Sequence, residues 1–283
     1  MKRNVTAIIQ ARMNSTRLPN KVLLKIGKIP MLLHVINQTK ASKYIKNVII
    51  ATTNSPSDKK IVNFCIKNEI GYFRGSSKDV LDRYYKCAKK FSCNPVVRIS
   101  SDCPFIDPCI IDKTISKFLR NSFDYIGNNL EKKDNKWQNS LCKFPQGMVV
   151  EICKFKTLEK AWKQAKKPSE REHVFPYVQF NPKIFKVSNV KNNTDLTYIR
   201  CTVDRKQDLK FVREIWKRKS QLKKITHNKD ILKIIQNEPD LVKINNKISF
   251  DEGYQKSLKK DVSLKKQDIV IYNLNSLNKK CKS

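Results

Sequence analysis

The feature that most constrains the fold is the alternation of short apolar segments with amphipathic segments over the first two-thirds of the chain. Apolar runs predict buried strands at residues 5–9, 48–52, 70–73 and 96–100, and helical patterns at 31–42, 58–68, 80–91 and 109–119. Strands that alternate with helices favour right-handed crossovers and a largely parallel sheet. We therefore expect an α/β fold.

The pattern becomes less regular after residue 123. Residues 130–145 are polar and are expected to form a surface excursion. Further strands are predicted at 147–153, 183–187 and 199–203, and further helices at 155–166, 207–219 and 229–237. We predict a main domain at 1–220 and a basic C-terminal extension at 221–283, with about the last 20 residues poorly ordered.

The net charge of +34 raises the possibility of a nucleic-acid-binding protein. Residues 218–283 contain 16 basic and 7 acidic residues, which is nearly the same excess per residue as in the whole chain. The charge is therefore spread evenly, and no basic tail or interleaved aromatic pattern supports nucleic-acid binding. Compositional drift and a functional basic face both remain open, and either would attract an acidic or phosphorylated small substrate.

Cellular location and redox state are constrained by two absences in the sequence. No run of 18 apolar residues is present, which argues against a membrane span, and the first apolar patch is too short for a signal peptide. We expect a cytoplasmic protein. The nine cysteines form no CxxC pair, which favours reduced structural thiols over a zinc site.

A basic loop follows the first predicted strand, in the segment IIQARMNSTRLPNKVL. The loop contains Arg12, Arg17 and Lys21, with the hydroxyls of Ser15 and Thr16 among them. Ligands of open parallel sheets bind beyond the carboxyl ends of the strands, and these cations suit phosphate oxygens. A phosphate site and a solvated turn are both consistent with the composition.

A carboxylate and an arginine mark the fourth predicted strand. Asp102 follows the strand directly, where it would face the same crevice as the basic loop, and carboxylates are common magnesium ligands. An Asx turn or a helix cap before Pro104 is the alternative. Arg98 lies within the apolar strand, so it requires an anionic ligand or a buried carboxylate as partner.

Several motifs in collinear order extend this pattern. They are IIQARMNSTRLPNKVL, IIATT, FRGSSKDVLDRYYKCAKK, VVRISSDCPFIDPCIID, GMVVEI, PSEREHVFPYV and TVDRKQDL. Together they resemble the sugar cytidylyltransferases of the acylneuraminate and 3-deoxy-manno-octulosonate type, and the branch of spore coat polysaccharide biosynthesis protein F in particular. The resemblance covers residues 4–220. It implies a Rossmann-like nucleotide-diphospho-sugar transferase fold, with a mostly parallel sheet flanked by helices.

The resemblance also implies a reaction and a set of site residues. The reaction is transfer of CMP from CTP to an acidic sugar, with Mg²⁺ as cofactor and a homodimer as assembly. The implied catalytic residues are Arg12, Lys21 and Asp102, and the metal ligands are Asp102 and Asp204. The nucleotide-binding set is Gln10, Ala11, Arg12, Ser15, Arg17, Lys21, Arg74, Gly75, Ser76 and Arg98. The substrate-binding set is Glu151, Glu170, Arg171 and His173.

Other interpretations of these residues stay open. Asp204 can cap the following helix, and Ser169 with Glu172 fits a capping box. Val149 stands where the related pattern has an aspartate, which leaves the sugar open. A nucleotidyltransferase for another acceptor, and a catalytically weak nucleotide-binding relative, are the remaining alternatives.

Overall fold

The computed structural model describes residues 5–133, 136–219 and 225–262. Its strands are β1 (Val5–Gln10), β2 (Lys25–Ile26), β3 (Ile29–Pro30), β4 (Ile45–Thr53), β5 (Gly71–Gly75), β6 (Val96–Ser100), β7 (Tyr125–Gly127), β8 (Leu130–Lys133), β9 (Lys136–Asn139), β10 (Glu151–Cys153) and β11 (Val187–Asn189). Its α-helices are α1 (Met31–Lys40), α2 (Lys59–Lys67), α3 (Val80–Lys90), α4 (Pro108–Arg120), α5 (Phe155–Gln164), α6 (Pro168–His173), α7 (Pro176–Gln179), α8 (Lys206–Arg218) and α9 (Asn228–Asn237). Short 3₁₀ helices lie at Lys21–Leu23, Pro56–Asp58 and Pro239–Ile244, and a further helix covers residues 252–262.

The central sheet has the order β11-β7-β10-β6-β1-β4-β5. Strand β1 pairs in parallel with β4 and β6, β4 pairs in parallel with β5, and β11 pairs in parallel with β7. Strand β10 alone among these seven runs antiparallel to both of its neighbours. The predicted α/β fold with a mostly parallel sheet flanked by helices is thus confirmed.

Both faces of the sheet are buried, which explains why its strands are continuous apolar runs. Along β1, Ala7 and Ile9 join a large core with α1, α2, α4 and α8, whereas Ile8 joins a second core with α3 and α5. This burial leaves the ends of the strands as the place where polar side chains can gather.

Sequence periodicity failed where the strands are short or isolated. Residues 147–150 lack strand pairing, and the predicted strand at 199–203 is extended chain with one bridge from Arg200 to Gln146. The strand predicted at residues 183–187 begins later, at Val187. At 147–150 and 199–203 the apolar residues reflect burial against the core rather than a ladder of hydrogen bonds.

The segment predicted to be a surface excursion is a hairpin followed by a buried turn. Strands β8 and β9 pair antiparallel, and Leu130, Cys142 and Phe144 are buried. Lys132, Lys133 and Lys136 of the hairpin are exposed, and such polar residues concealed the buried apolar ones in the sequence pattern.

The described residues beyond 220 pack on the rest of the chain. Ile231, Ile235 and Leu241 belong to the large core beside α8. The boundary at residue 220 remains a prediction, and residues 263–283, for which poor order is predicted, lie outside the described residues. Within the described ranges, no helix combines the length and apolar character needed to cross a membrane.

Candidate functional site

The basic loop after β1 is held in place by buried apolar side chains along its length and by hydrogen bonds to one buried carboxylate. Ala11, Met13 and Leu18 are buried and anchor the loop. Asp58 accepts a hydrogen bond from the Met13 amide at 2.8 Å and others from the Thr53 amide and hydroxyl at the end of β4. This clamp leaves the side chains between the anchors directed outward beyond the strand ends.

Lys21 occupies the centre of the site. Its ammonium donates to Asp102 Oδ2 and Asp204 Oδ1, both at 2.8 Å, and to the Val203 carbonyl at 2.9 Å. The Lys21 side chain is only 11% exposed. Burial alone would lower the pKa of Lys21, but the two carboxylates outweigh it and raise that pKa.

Asp204 is surrounded by cations. Arg17 contacts Asp204 Oδ1 at 2.8 Å, and Arg200 lies 3.5 Å from Asp204 Oδ2. Burial would raise the pKa of Asp204, but Lys21 and Arg17 hold it at about 2. Asp208 caps α8 through the amides of Asp204 and Arg205, so the predicted capping role of Asp204 belongs to its neighbour.

These groups lie at the boundary between two spaces. The larger is a cleft of 680 Å³ lined by eight basic side chains and three acidic ones. The basic residues are Arg12, Arg17, Lys21, Lys78, Arg83, Arg171, Lys256 and Lys260. An excess of cations around one cleft favours a polyanionic ligand.

The smaller space, of 280 Å³, shares Gln10, Arg17, Asp102, His173 and Asp204 with the cleft and has a different character. We call it the acceptor chamber. Its lining includes three arginines, five acidic residues and the amide side chains of Gln10, Asn129, Asn139, Gln146 and Gln179. Such a mixture of donors and acceptors suits a polyhydroxylated ligand.

The partner of Arg98 is a buried carboxylate. Arg98 donates to Glu151, which is 1% exposed at its side chain. Glu151 also accepts from the Tyr125 hydroxyl at 2.7 Å and from the Asn129 and Gln179 amides at 3.1 Å. The two side chains therefore form a fixed wall of the acceptor chamber.

Unsatisfied polar atoms concentrate around these two spaces. Several described residues have a buried side-chain nitrogen or oxygen without a hydrogen-bond partner. Four of these residues line the cleft or the chamber, namely Gln10, Arg17, Arg83 and Arg98. Buried polar atoms in folded proteins are nearly always hydrogen-bonded. Their clustering here marks the region as a ligand site.

The structure brings most of the predicted site residues together. Gln10, Ala11, Arg12, Ser15, Arg17, Lys21, Asp102, Arg171, His173 and Asp204 line the cleft, and Arg98 and Glu151 line the chamber. Arg12 lies 3.3 Å from Glu172, and Arg171 pairs with Asp79, which caps α3.

Four predicted site residues lie away from the lining of both spaces. Arg74 donates to the carbonyls of Thr53 and Ser55, and the Ser76 hydroxyl accepts from the Asp79 amide. Gly75, between them, ends β5 against Arg83. Glu170 accepts from the amides of Lys166 and Lys167 at the start of its own helix α6. The side chains of Arg74, Ser76 and Glu170 thus each contact a backbone group of the chain.

Sequence reasoning missed other lining residues. Arg83 is 2% exposed and lies on the buried face of α3, so an arginine among apolar positions was the available signal. Lys256 and Lys260 come from a lysine-rich segment with no distinguishing pattern.

Comparison with known proteins decides the family. The cytidylyltransferase family model matches residues 6–248. The chain belongs to the cytidylyltransferase family. It is a nucleotidyltransferase, and the resemblance of its motifs is confirmed.

Two relatives and one solved structure match over nearly their whole length, and a third relative matches over less than half. The chain is 37% identical to an uncharacterized protein of Methanocaldococcus jannaschii, over 86% of this chain and 95% of that protein. It is 26% identical to spore coat polysaccharide biosynthesis protein SpsF of Bacillus subtilis, over 84% and 96%. A solved cytidylyltransferase from Leptospira borgpetersenii superposes with a TM-score of 0.77 at 31% identity, over 87% and 98%. The 3-deoxy-manno-octulosonate cytidylyltransferase of Geobacter sulfurreducens is 31% identical over 42% of this chain and 46% of that protein.

Proposed function

We propose that this cytidylyltransferase transfers CMP from CTP to a hydroxyl of an acidic sugar and releases pyrophosphate. The observation that carries the proposal is the contact of one ammonium, Lys21, with both Asp102 and Asp204 at the boundary of the cleft and the acceptor chamber. A reaction that joins a triphosphate to a second substrate needs its charge-handling groups at such a boundary.

The triphosphate would lie in the cation-lined cleft. Arg12 and Arg17 offer forked hydrogen bonds to phosphate oxygens, Lys21 offers a compact charge, and the Ser15 hydroxyl can donate. These groups neutralise the charge that gathers on the leaving pyrophosphate, and neutralisation of developing charge is the main task in phosphoryl-type transfers.

Asp102 and Asp204 fit a divalent cation. The Lys21 ammonium already contacts one oxygen of each carboxylate at 2.8 Å, so the two carboxylates converge on the position of a single cation. Oxygen donors of this kind suit Mg²⁺, which usually takes one or two carboxylates together with phosphate oxygens. When bound, Mg²⁺ would neutralise phosphate charge between the two substrates.

The acceptor would lie in the acceptor chamber. Amide side chains can bind several hydroxyls, and the guanidinium groups of Arg17, Arg98 and Arg200 can donate to a carboxylate on the sugar, although five acidic side chains share this lining. The named activity of the Geobacter relative and the polysaccharide role in the name of the Bacillus relative support an acidic sugar of a surface polysaccharide.

The chain's own residues then act by positioning. The acceptor hydroxyl loses its proton to solvent and attacks the α-phosphorus in line, the new oxygen–phosphorus bond forms, and the bond from the α-phosphorus to the bridging oxygen breaks. Pyrophosphate leaves with the bonding electrons, held by the loop cations. The buried Arg98–Glu151 pair fixes the wall against which the acceptor is positioned. Direct attack by the acceptor hydroxyl requires no covalent enzyme intermediate.

A pyrophosphate-release assay tests the proposal. Purified protein is supplied with each of four nucleoside triphosphates, a panel of acidic and neutral sugars, and magnesium or EDTA. We expect release with CTP, an acidic sugar and magnesium together, and its loss in Asp102→Asn. Asp240→Asn, which changes an exposed carboxylate, serves as matched control. Release with neutral sugars alone, or full turnover by Asp102→Asn, would refute the assignment.

A further inference from the structure

We infer that the C-terminal helix at residues 252–262 is part of the phosphate-binding site, and that Lys256 and Lys260 bind the triphosphate and the pyrophosphate product. This inference rests on the proposed function, because it adds residues to the cleft that would hold CTP. The helix lies beyond residue 248, where the family match ends.

One face of the helix is directed into the cleft. Gly253, Lys256, Ser257 and Lys260 all line it. Their spacing of three and four residues places them on a single helical face. Because this face carries two lysines one turn apart and no acidic residue, it adds two positive charges to the cleft that the loop after β1 also lines.

The helix also docks on α6, partly through Ser257 of the cleft-lining face and partly through residues beside that face. Asp261 accepts hydrogen bonds from the Ser169 amide and hydroxyl at 2.9 and 2.5 Å. The Ser257 hydroxyl lies 3.1 Å from His173 Nε2, and the Tyr254 ring meets the His173 ring edge-on with centroids 5.0 Å apart. These contacts occur along the helix, from its first turn to its last, and they fix the orientation of the cleft-lining face.

The segment before the helix closes the acceptor chamber. Phe250, Asp251 and Glu252 line the chamber, Asn139 donates to Asp251 at 3.0 Å, and Arg205 pairs with Glu252 at 3.0 Å. The helix and its leading turn therefore border both spaces. Lys256 and Lys260 lie on the cleft side only, which assigns them to the phosphates rather than to the acceptor.

The test compares the double variant Lys256→Gln/Lys260→Gln with Lys259→Gln. Lys259 belongs to the same helix and is exposed, but it does not line the cleft. Titration of inorganic pyrophosphate into the full-length protein measures binding without turnover. We expect binding about tenfold weaker in the double variant and unchanged in the control, since each lysine contributes a partly screened charge contact. The KM for CTP should rise by a similar factor while kcat changes little.

The outcomes separate this inference from the proposed function. Equal pyrophosphate affinity in the wild type and the double variant would overturn the inference. A loss of affinity in Lys259→Gln as large as that in the double variant would also overturn it, because overall charge alone would then explain the effect. A wild-type protein that turns over no nucleoside triphosphate would refute the proposed function. The pyrophosphate titration would still test whether Lys256 and Lys260 bind phosphate. Melting curves check that the exposed substitutions leave the fold intact.

Discussion

Lys21 shows at the scale of one residue how this site balances burial against charge. Its ammonium loses water on burial and recovers interaction energy from two carboxylates and one carbonyl. Arg17 supplies a second cation to Asp204. Removal of Lys21 would leave Asp102 and Asp204 close together without the cation that they share.

We predict that Lys21→Met loses pyrophosphate release and is less stable at neutral pH by about 2 kcal/mol, because breaking a partly buried ion pair leaves charges uncompensated. Because Lys21 and Arg17 hold the pKa of Asp204 at about 2, the stability that this carboxylate contributes is lost as the pH falls from 3.8 toward 2, so the deficit of the variant should shrink in that range. Turnover assays and urea unfolding at several pH values measure both effects. Lys25→Met, at an exposed position, is the control. Wild-type turnover by Lys21→Met would contradict the central role of this ammonium.

The Arg98–Glu151 pair allows a second prediction at this scale. Burial would lower the pKa of Arg98, but Glu151 outweighs it and raises that pKa. Glu151→Gln removes the counter-charge of a buried arginine and should cost about 3 kcal/mol of unfolding free energy. In Arg98→Met/Glu151→Gln both charges are absent, so we expect a loss smaller than the sum of the single losses. Additive losses in urea unfolding would contradict a coupled pair.

At the scale of elements, the site depends on where strands end. The sequence located the basic loop and Asp102 because β1 and β6 are mainly apolar strands. The change from apolar to polar residues marks their carboxyl ends. The direction of β10 was not readable, since a three-residue strand carries no signal of its orientation. Asp58 was predicted only as a helix start, because its hydrogen bond to Met13 joins residues 45 positions apart.

Hydrogen bonds between side chain and backbone hold three of the four predicted site residues that do not line the two spaces, and their assignment to a ligand stays a prediction. Glu170 was assigned to the substrate, yet it caps α6. A motif gives the residue type and its neighbourhood, but the rotamer depends on which backbone amides are unsatisfied nearby. The helix at residues 252–262 escaped prediction for a related reason, since a lysine-rich helical face resembles an ordinary solvated surface until its neighbours in space are known.

His173 couples α6 to the C-terminal helix and predicts a pH dependence. Burial lowers its pKa to about 4, and Arg98 adds to the effect. Between pH 4 and the unfolded value of 6.5, the unfolded chain binds more protons than the folded one, so stability rises with pH through this window. His173 should contribute on the order of 3 kcal/mol to that rise. His173→Gln should flatten the slope in urea unfolding from pH 4 to 7. An unchanged slope would contradict a neutral, buried His173.

At the scale of the whole molecule, the charge of +34 has a local consequence in the cleft. Basic residues are spread along the chain, yet eight of them line the cleft against three acidic residues, whereas the acceptor chamber has more acids than bases. The basic residues are therefore evenly distributed along the sequence but unevenly distributed in space. The fold concentrates positive charge where the proposed triphosphate binds.

The assembly predicted by the family resemblance is a homodimer. Sedimentation at micromolar concentrations should then give a particle of twice the chain mass of 33.1 kDa. The same measurement in high salt checks that repulsion between strongly basic chains does not dissociate it. A single species of 33.1 kDa across the concentration range would contradict the dimer.

The transfer of CMP from CTP to an acidic sugar is tested most directly with isotopically labelled CTP. The protein is incubated with an acidic sugar and CTP that carries ³²P at either the α or the γ position, and the products are separated. We expect the α label to move to a CMP-sugar and the γ label to pyrophosphate, in equal amounts. Recovery of the γ label on the sugar, or of both labels in unreacted CTP across the panel of acidic sugars, would contradict it.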